Sequence, residues 1–242
     1  AELGAPYTCP PPARPFLREV GVDPGKLRIA YAPAPPGGAT VDPECKQAAQ
    51  DAAKLCESLG HRVEEVVLPI ENAFFRPSFL AVISVSMARA LEDAAGVLGH
   101  AVTEADVEPA TWTMYQQGKN INSIAYSRSI ANMHQVGLAM AKFQEKYDVI
   151  LSPTLAKPPV KLGVLSLDDP ARYGKEVSEF SPFTALYNVT GQPSMSVPLH
   201  WTRDGLPVGV MFSARFGDEA TLFRLAAQLE KAKPWANRKP AV

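Results

Sequence analysis

Between residues 27 and 68 the apolar positions switch from a continuous run to a helical period and back. Residues 27–32 (LRIAYA) form a run suited to a buried strand, and the loop PAPPGGAT follows. Asp42 can cap a helix, with Pro43 at its first position and Glu44 in the first turn. Ala48, Ala52, Leu55 and Leu59 then recur at spacings of four and three, and Gly60 is placed to stop the helix. Residues 62–68 make the next strand. A strand, helix and strand over about 40 residues is the size of a parallel crossover.

The middle of the chain carries a helical period over residues 74–98 and again over about 119–146. Leu80, Ile83, Met87 and Leu91 share one face of the first helix; Met133, Val136, Met140 and Phe143 share one face of the second. Between them, Thr103 and the segment TEADVEPATW predict a short capped helix. Residues 148–152 (DVILS) read as a buried strand ended by Pro153. Residues 154–179 show no clear period, and a stretch of that length is often functional or interfacial.

The last third is the most regular. Residues 183–189 look helical, TGQP turns the chain, and Met195, Val197 and Leu199 alternate with smaller or polar residues. Beyond Asp204-Gly205, Val208, Val210 and Phe212 alternate again, so two strands form an antiparallel hairpin. Pro198 and Pro207 lack a ladder donor and should sit at a gap or a strand end. A closing helix starts near Asp218 with Leu222, Leu225 and Leu229 inward. The expected fold is α/β, a mixed sheet sandwiched between helices.

Composition narrows the function classes. The chain has 242 residues, 46% hydrophobic and 20% charged, which is too apolar for disorder and long enough for a core. With 24 basic and 25 acidic residues the net charge is −1, so neither nucleic acid nor an anionic membrane is expected as a partner. Three cysteines, Cys9, Cys45 and Cys56, show no ligand or disulfide spacing, which suggests a cytoplasmic setting. Residues 79–98 carry Ser84, Ser86, Arg89, Glu92 and Asp93, too polar a set for a membrane span. Ten of the 23 prolines precede residue 44, so residues 1–26 read as a Pro-rich connector that needs something to lie against. The first residues have neither region of a signal peptide, and more chain is expected before them.

No self-contained catalytic constellation is visible: there is no GxSxG, SxxK, HExxH, P-loop or GxGxxG. His61, His100, His134 and His200 have no metal-type spacing. His61 is expected on the surface beyond a helix end, and His134 as an ordinary helix residue. Glu64 and Glu65 are neighbours on a strand and point to opposite faces, Asp168-Asp169 suits a turn, and Gly37-Gly38 lacks the spacing of a phosphate cradle.

The run FSPFTALYNVTGQPSMSVPL, continued by DGLPVGVMFSARFGDEATLFRLAAQLE, resembles the C-terminal region of the amidase signature family. PPARPF, VDPE, LCESLGHRVEE and YDVILSPTLAKPP stand upstream in the expected order, so the resemblance covers nearly the whole chain. Within the family, CPPPARPF, VDPEC and TEADVEPATW are similar to hydrolases of the 6-aminohexanoate cyclic dimer type, although simpler amidases can share them.

The resemblance implies hydrolysis of amide bonds by a serine, a second serine on a cis peptide and a lysine, without cofactor or metal. It places those groups before residue 1, in a Gly/Ser-rich signature that residues 1–242 lack, so no catalytic residue is assigned here. Residues 27–242 are then the C-terminal, pocket-forming part of the amidase domain. The candidate substrate-binding residues are Ile83, Met87, Trp112, Thr154, Phe180, Tyr187 and Asn188. Its implied partners are the N-terminal catalytic half and a small-molecule amide, with a homodimer left open. The competing reading is a non-catalytic binding or scaffold module.

Overall fold

Val149–Pro153, five residues buried without exception, forms the strand on which the sheet is built (β3). The computed structural model describes residues 8–240. Around β3 the sheet runs in the order β2-β1-β3-β5-β4, with β1 Arg28–Tyr31, β2 Arg62–Glu65, β4 Ser194–Trp201 and β5 Pro207–Ala214. β1 pairs parallel with both β2 and β3, while β5 pairs antiparallel with β3 and β4. The sheet is therefore mixed and flanked by helices, with the crossover early and the hairpin late. Pro207 opens β5, and the β4–β5 register shifts between Val197 and His200, around Pro198. Both prolines thus sit where no ladder donor is needed.

Local chemistry sets the helices. Helix α1, Pro43–Ser58, starts at Asp42, whose carboxylate accepts the Glu44 N–H at 2.8 Å. Its Cys45, Ala48, Ala52, Ala53 and Cys56 are buried in the core against the sheet. The closing helix α7, Glu219–Ala232, is capped by Asp218 and buries Leu222, Leu225 and Leu229. A short helix, α6 Ala185–Thr190, buries Leu186 and Tyr187, and burial pushes the Tyr187 phenol up to about 12.

Several boundaries differ from the sequence reading. The strand expected over residues 62–68 ends at Glu65. The helix expected over about 119–146 is α4, Ser123–Phe143, which starts where Asn122 caps it by accepting the Ala125 N–H. The short helix expected from Thr103 starts later, as α3, Pro109–Lys119; Thr103 itself opens a turn in which Asp106 accepts from both its N–H and its hydroxyl. Residues 154–179 are not wholly irregular, since Pro170–Phe180 forms helix α5 with Asp169 as its cap. His61, expected on the surface, is buried. Its Nδ1 accepts the Leu27 N–H at 3.1 Å, which puts the ring proton on Nε2, 2.8 Å from Gln228 Oε1 on α7.

The 27-residue helix α2, Asn72–Leu98, is by length and composition able to cross a membrane, and only 22% of its most apolar window is buried. It packs instead along α3 and α4 through small residues. Ser78, Ser84 and Ala88 are buried, Asn132 of α4 donates to Ser78 Oγ at 3.0 Å, and Gly118 of α3 lies against the Ser84 backbone. The apolar face read from Leu80, Ile83, Met87 and Leu91 is not core: Leu80 is exposed and the other three are half-buried.

The short turn Phe16–Arg18 and its neighbours lie against α7. Phe16 stacks on Phe223 with ring centroids 5.4 Å apart, and buried Glu19 is held by Arg14 and Arg224, each at 2.6 Å. Those two guanidiniums, Arg14 first, pull the Glu19 carboxyl from 4.5 down to about 2. A group depressed in the folded state stabilises above its unfolded pKa, and that stabilisation fades as pH falls through the folded value. Glu19→Gln is therefore expected to lower the urea midpoint at neutral pH, with the deficit shrinking between about pH 4.5 and 2 in a pH series of melts. Gly118→Ala places a Cβ against the Ser84 carbonyl and is expected to cost about 1–3 kcal/mol in the same measurement.

Candidate functional site

Because α2 packs through its small residues, its large ones are free to line a space. Phe79, Leu80, Ile83 and Met87 form one wall of a cavity of about 550 Å³, a size typical of small-molecule sites. Met114 of α3 continues that wall. The opposite side is α5 and the segment after it, with Tyr173, Val177, Ser178, Glu179, Thr184 and Asn188. The loop at Pro36–Gly37 closes one end. Gly37 has φ 91°, and a Cβ there would run into the Asn72 side chain at the start of α2.

Polar groups link α2 to the α5 side. Arg76 Nη2 donates to Ser178 Oγ at 2.6 Å, and the Ser178 hydroxyl donates in turn to the Gly174 carbonyl. Lys157 reaches Glu179 at 2.9 Å and Glu176 at 3.7 Å. The hydrogen bond from Lys157 holds the Glu179 carboxyl below its ordinary range, and the same bond raises Lys157. α5 itself is anchored at its end, where the Phe180 carbonyl accepts the Ala156 N–H at 2.9 Å.

The seven residues expected to touch substrate separate into two groups. Ile83, Met87 and Asn188 line the cavity together. Trp112 stacks on Tyr115 at 4.9 Å, on α3; Thr154 Oγ1 lies 2.8 Å from Ser196 Oγ at the end of the sheet; Phe180 closes α5; and Tyr187 is buried in the core. The sequence reading missed Arg76, Phe79, Met114 and Ser178. Asp169-Pro170, a cap followed by proline at the first helical position, was the signal that could have revealed α5 and with it Ser178.

The hydroxyls around the cavity are engaged with other side chains. Ser181 pairs with the Thr184 hydroxyl and Ser178 with Arg76, and neither has a general base beside it. Burial pushes the Cys45 and Cys56 thiols up to about 12, far from a nucleophile's range. Among the described residues no group of three or more His, Cys, Asp or Glu side chains could hold a metal ion.

Comparison with known proteins gives this geometry a context. The family model described as Amidase matches residues 4–223. The chain is 30% identical over 247 residues to the 6-aminohexanoate-cyclic-dimer hydrolase of Pseudomonas sp. (strain NK87), covering 98% of this chain and 50% of that protein. It is 28% identical over 222 residues to the lipoamidase of Enterococcus faecalis, covering 84% of this chain and 31% of the relative. A solved structure of 6-aminohexanoate cyclic dimer hydrolase complexed with substrate superposes with a TM-score of 0.87 at 29% identity, over 98% of this chain and 51% of that one. The chain spans about half the length of the curated relatives it matches first.

Core and cavity positions can be told apart by substitution. Tyr187→Ala empties a buried core position outside the cavity lining and is expected to cost about 3–5 kcal/mol of stability in a denaturant melt, whereas Ile83→Ala on the half-buried cavity wall is expected to cost less.

Proposed function

Because this chain belongs to the amidase family, we propose that it is the pocket-forming part of an enzyme that hydrolyses carboxylic amide C–N bonds. The observation that carries the reading is the open cavity on α2. It is apolar and of substrate size, and its described residues include no nucleophile with a base.

On this reading the reacting groups are a serine, a cis-peptide serine and a lysine contributed by an N-terminal catalytic half. Lysine, acting through the bridging serine, takes the proton of the nucleophilic serine, which attacks the amide carbonyl. Backbone N–H groups hold the oxyanion, the amine leaves, and water releases the acid. The residues of this chain bind and orient: Ile83, Met87 and Phe79 exclude water from the apolar part of the substrate, and Asn188 offers an amide to its polar part. The absence of a Gly/Ser-rich stretch from residues 1–242 supports placing the nucleophile elsewhere. Cyclic or linear small amides fit the relatives' names and the cavity's size. No cofactor enters this chemistry. Three free cysteines, two of them buried, suit a reducing cytoplasm.

The test uses the full-length protein containing this chain. It is expected to release amine from small amides and to be inactivated by a serine-directed fluorophosphonate. Digestion and mass spectrometry should place the label outside residues 1–242. A stoichiometric label on any serine or threonine within them would overturn the assignment.

A further inference from the structure

One polar group on the cavity wall is left uncommitted. Arg76 has five N–H donors, and its one side-chain hydrogen bond among the described residues goes to Ser178 Oγ at 2.6 Å. Ser178 spends its own proton on the Gly174 carbonyl, so it acts as a fixed acceptor that aims the guanidinium. The nearby carboxylates are already engaged, because Lys157 holds Glu179 at 2.9 Å and Glu176 at 3.7 Å. These four groups sum to zero charge, so an incoming anion meets no excess of negative charge. A cation would have to displace Lys157 from Glu179, whereas an anion meets the Arg76 donors that Ser178 leaves unused.

Arg76 also stands in line with the apolar wall. Residues 76, 79, 80, 83 and 87 fall at helical spacings on α2, and Arg76, Phe79, Leu80, Ile83 and Met87 all line the cavity. At 1.5 Å per residue the wall extends roughly 10–16 Å from Arg76 to Ile83 and Met87. A guanidinium at one end of an apolar wall matches a carboxylate at one end of an apolar chain, through paired N–H donors.

We propose that Arg76 determines specificity: the cavity takes a linear aliphatic amide that carries a carboxylate at the end remote from the scissile bond, held by Arg76. This rests on the reading that the cavity holds the amide substrate. Ser178 is a positioning residue for Arg76.

The experiment compares two linear amides of equal length, one ending in a carboxylate and one in its methyl ester, with the full-length protein. The carboxylate form is expected to have the higher kcat/KM by about tenfold, expressed in KM. In Arg76→Gln the ratio should fall to near one, and Arg76→Lys should keep part of it. Arg76→Glu should turn the preference towards an amine-terminated amide. Equal kcat/KM for the two forms in the unaltered protein, or an undiminished ratio in Arg76→Gln, would overturn the proposal. A second readout separates it from the amidase reading: octanoate should raise the melting temperature of the unaltered protein and not that of Arg76→Gln. If neither amide is hydrolysed but this shift is present, the amidase reading fails and the carboxylate site stands. Absence of the shift overturns the site.

Discussion

The structure depends on the double burial of β3. A strand enclosed on both faces cannot tolerate an unpaired N–H or C=O, so Val149–Pro153 must have a neighbour on each side: β1 in parallel, β5 antiparallel. That requirement fixes where the crossover half and the hairpin half of the chain meet. It also fixes where the chain leaves the sheet. Just beyond β3, buried Ala156 accepts the Asp42 N–H at 2.8 Å and donates to the Phe180 carbonyl at 2.9 Å. One residue thus ties the start of α1 and the end of α5 to the centre of the sheet, and so sets the position of the α5 wall.

The other wall follows from how α2 divides its surface. Close packing on α3 and α4 needs small side chains, and Ser78, Ser84 and Ala88 supply them opposite Gly118 and Asn132. The large apolar residues are thereby excluded from that contact. They are left on a face with a cavity in front of it, which is why a helix apolar enough to resemble a membrane span is only sparsely buried.

Much of this was legible in the sequence wherever local chemistry acts alone. Asp42-Pro43 at the head of α1, the alternation in β4 and β5, and Asp218 before α7 each specify their element without help from elsewhere. What failed depended on neighbours distant in sequence. His61 follows a helix-ending glycine and looks exposed, yet Leu27 and Gln228 enclose it from 34 and 167 residues away. The period of Leu80, Ile83 and Met87 announces an apolar face but cannot say whether protein or open space lies against it. Of the candidate site, Ile83, Met87 and Asn188 were found because apolar spacing and the family resemblance pointed to them. Arg76 was not, because an arginine on a helix looks the same whether or not a cavity lies beside it.

The two walls also differ in what holds them. α2 is bound to its neighbours by buried backbone contact, whereas α5 has no buried residue. It packs on α3 through half-buried positions, and its polar attachments are the Ala156–Phe180 hydrogen bond, the bond from the Ala110 N–H to the Leu167 carbonyl just ahead of it, the Lys157 ion pairs and the Arg76–Ser178 contact. Polar contacts at half-exposed positions contribute little net stability, since water replaces them when they open. Elements held this way lie at the low end of local stability. The cavity is therefore bounded by α2, which carries Arg76 at one end of its apolar row, and by the more polar side of α5, which carries Ser178 and Glu179.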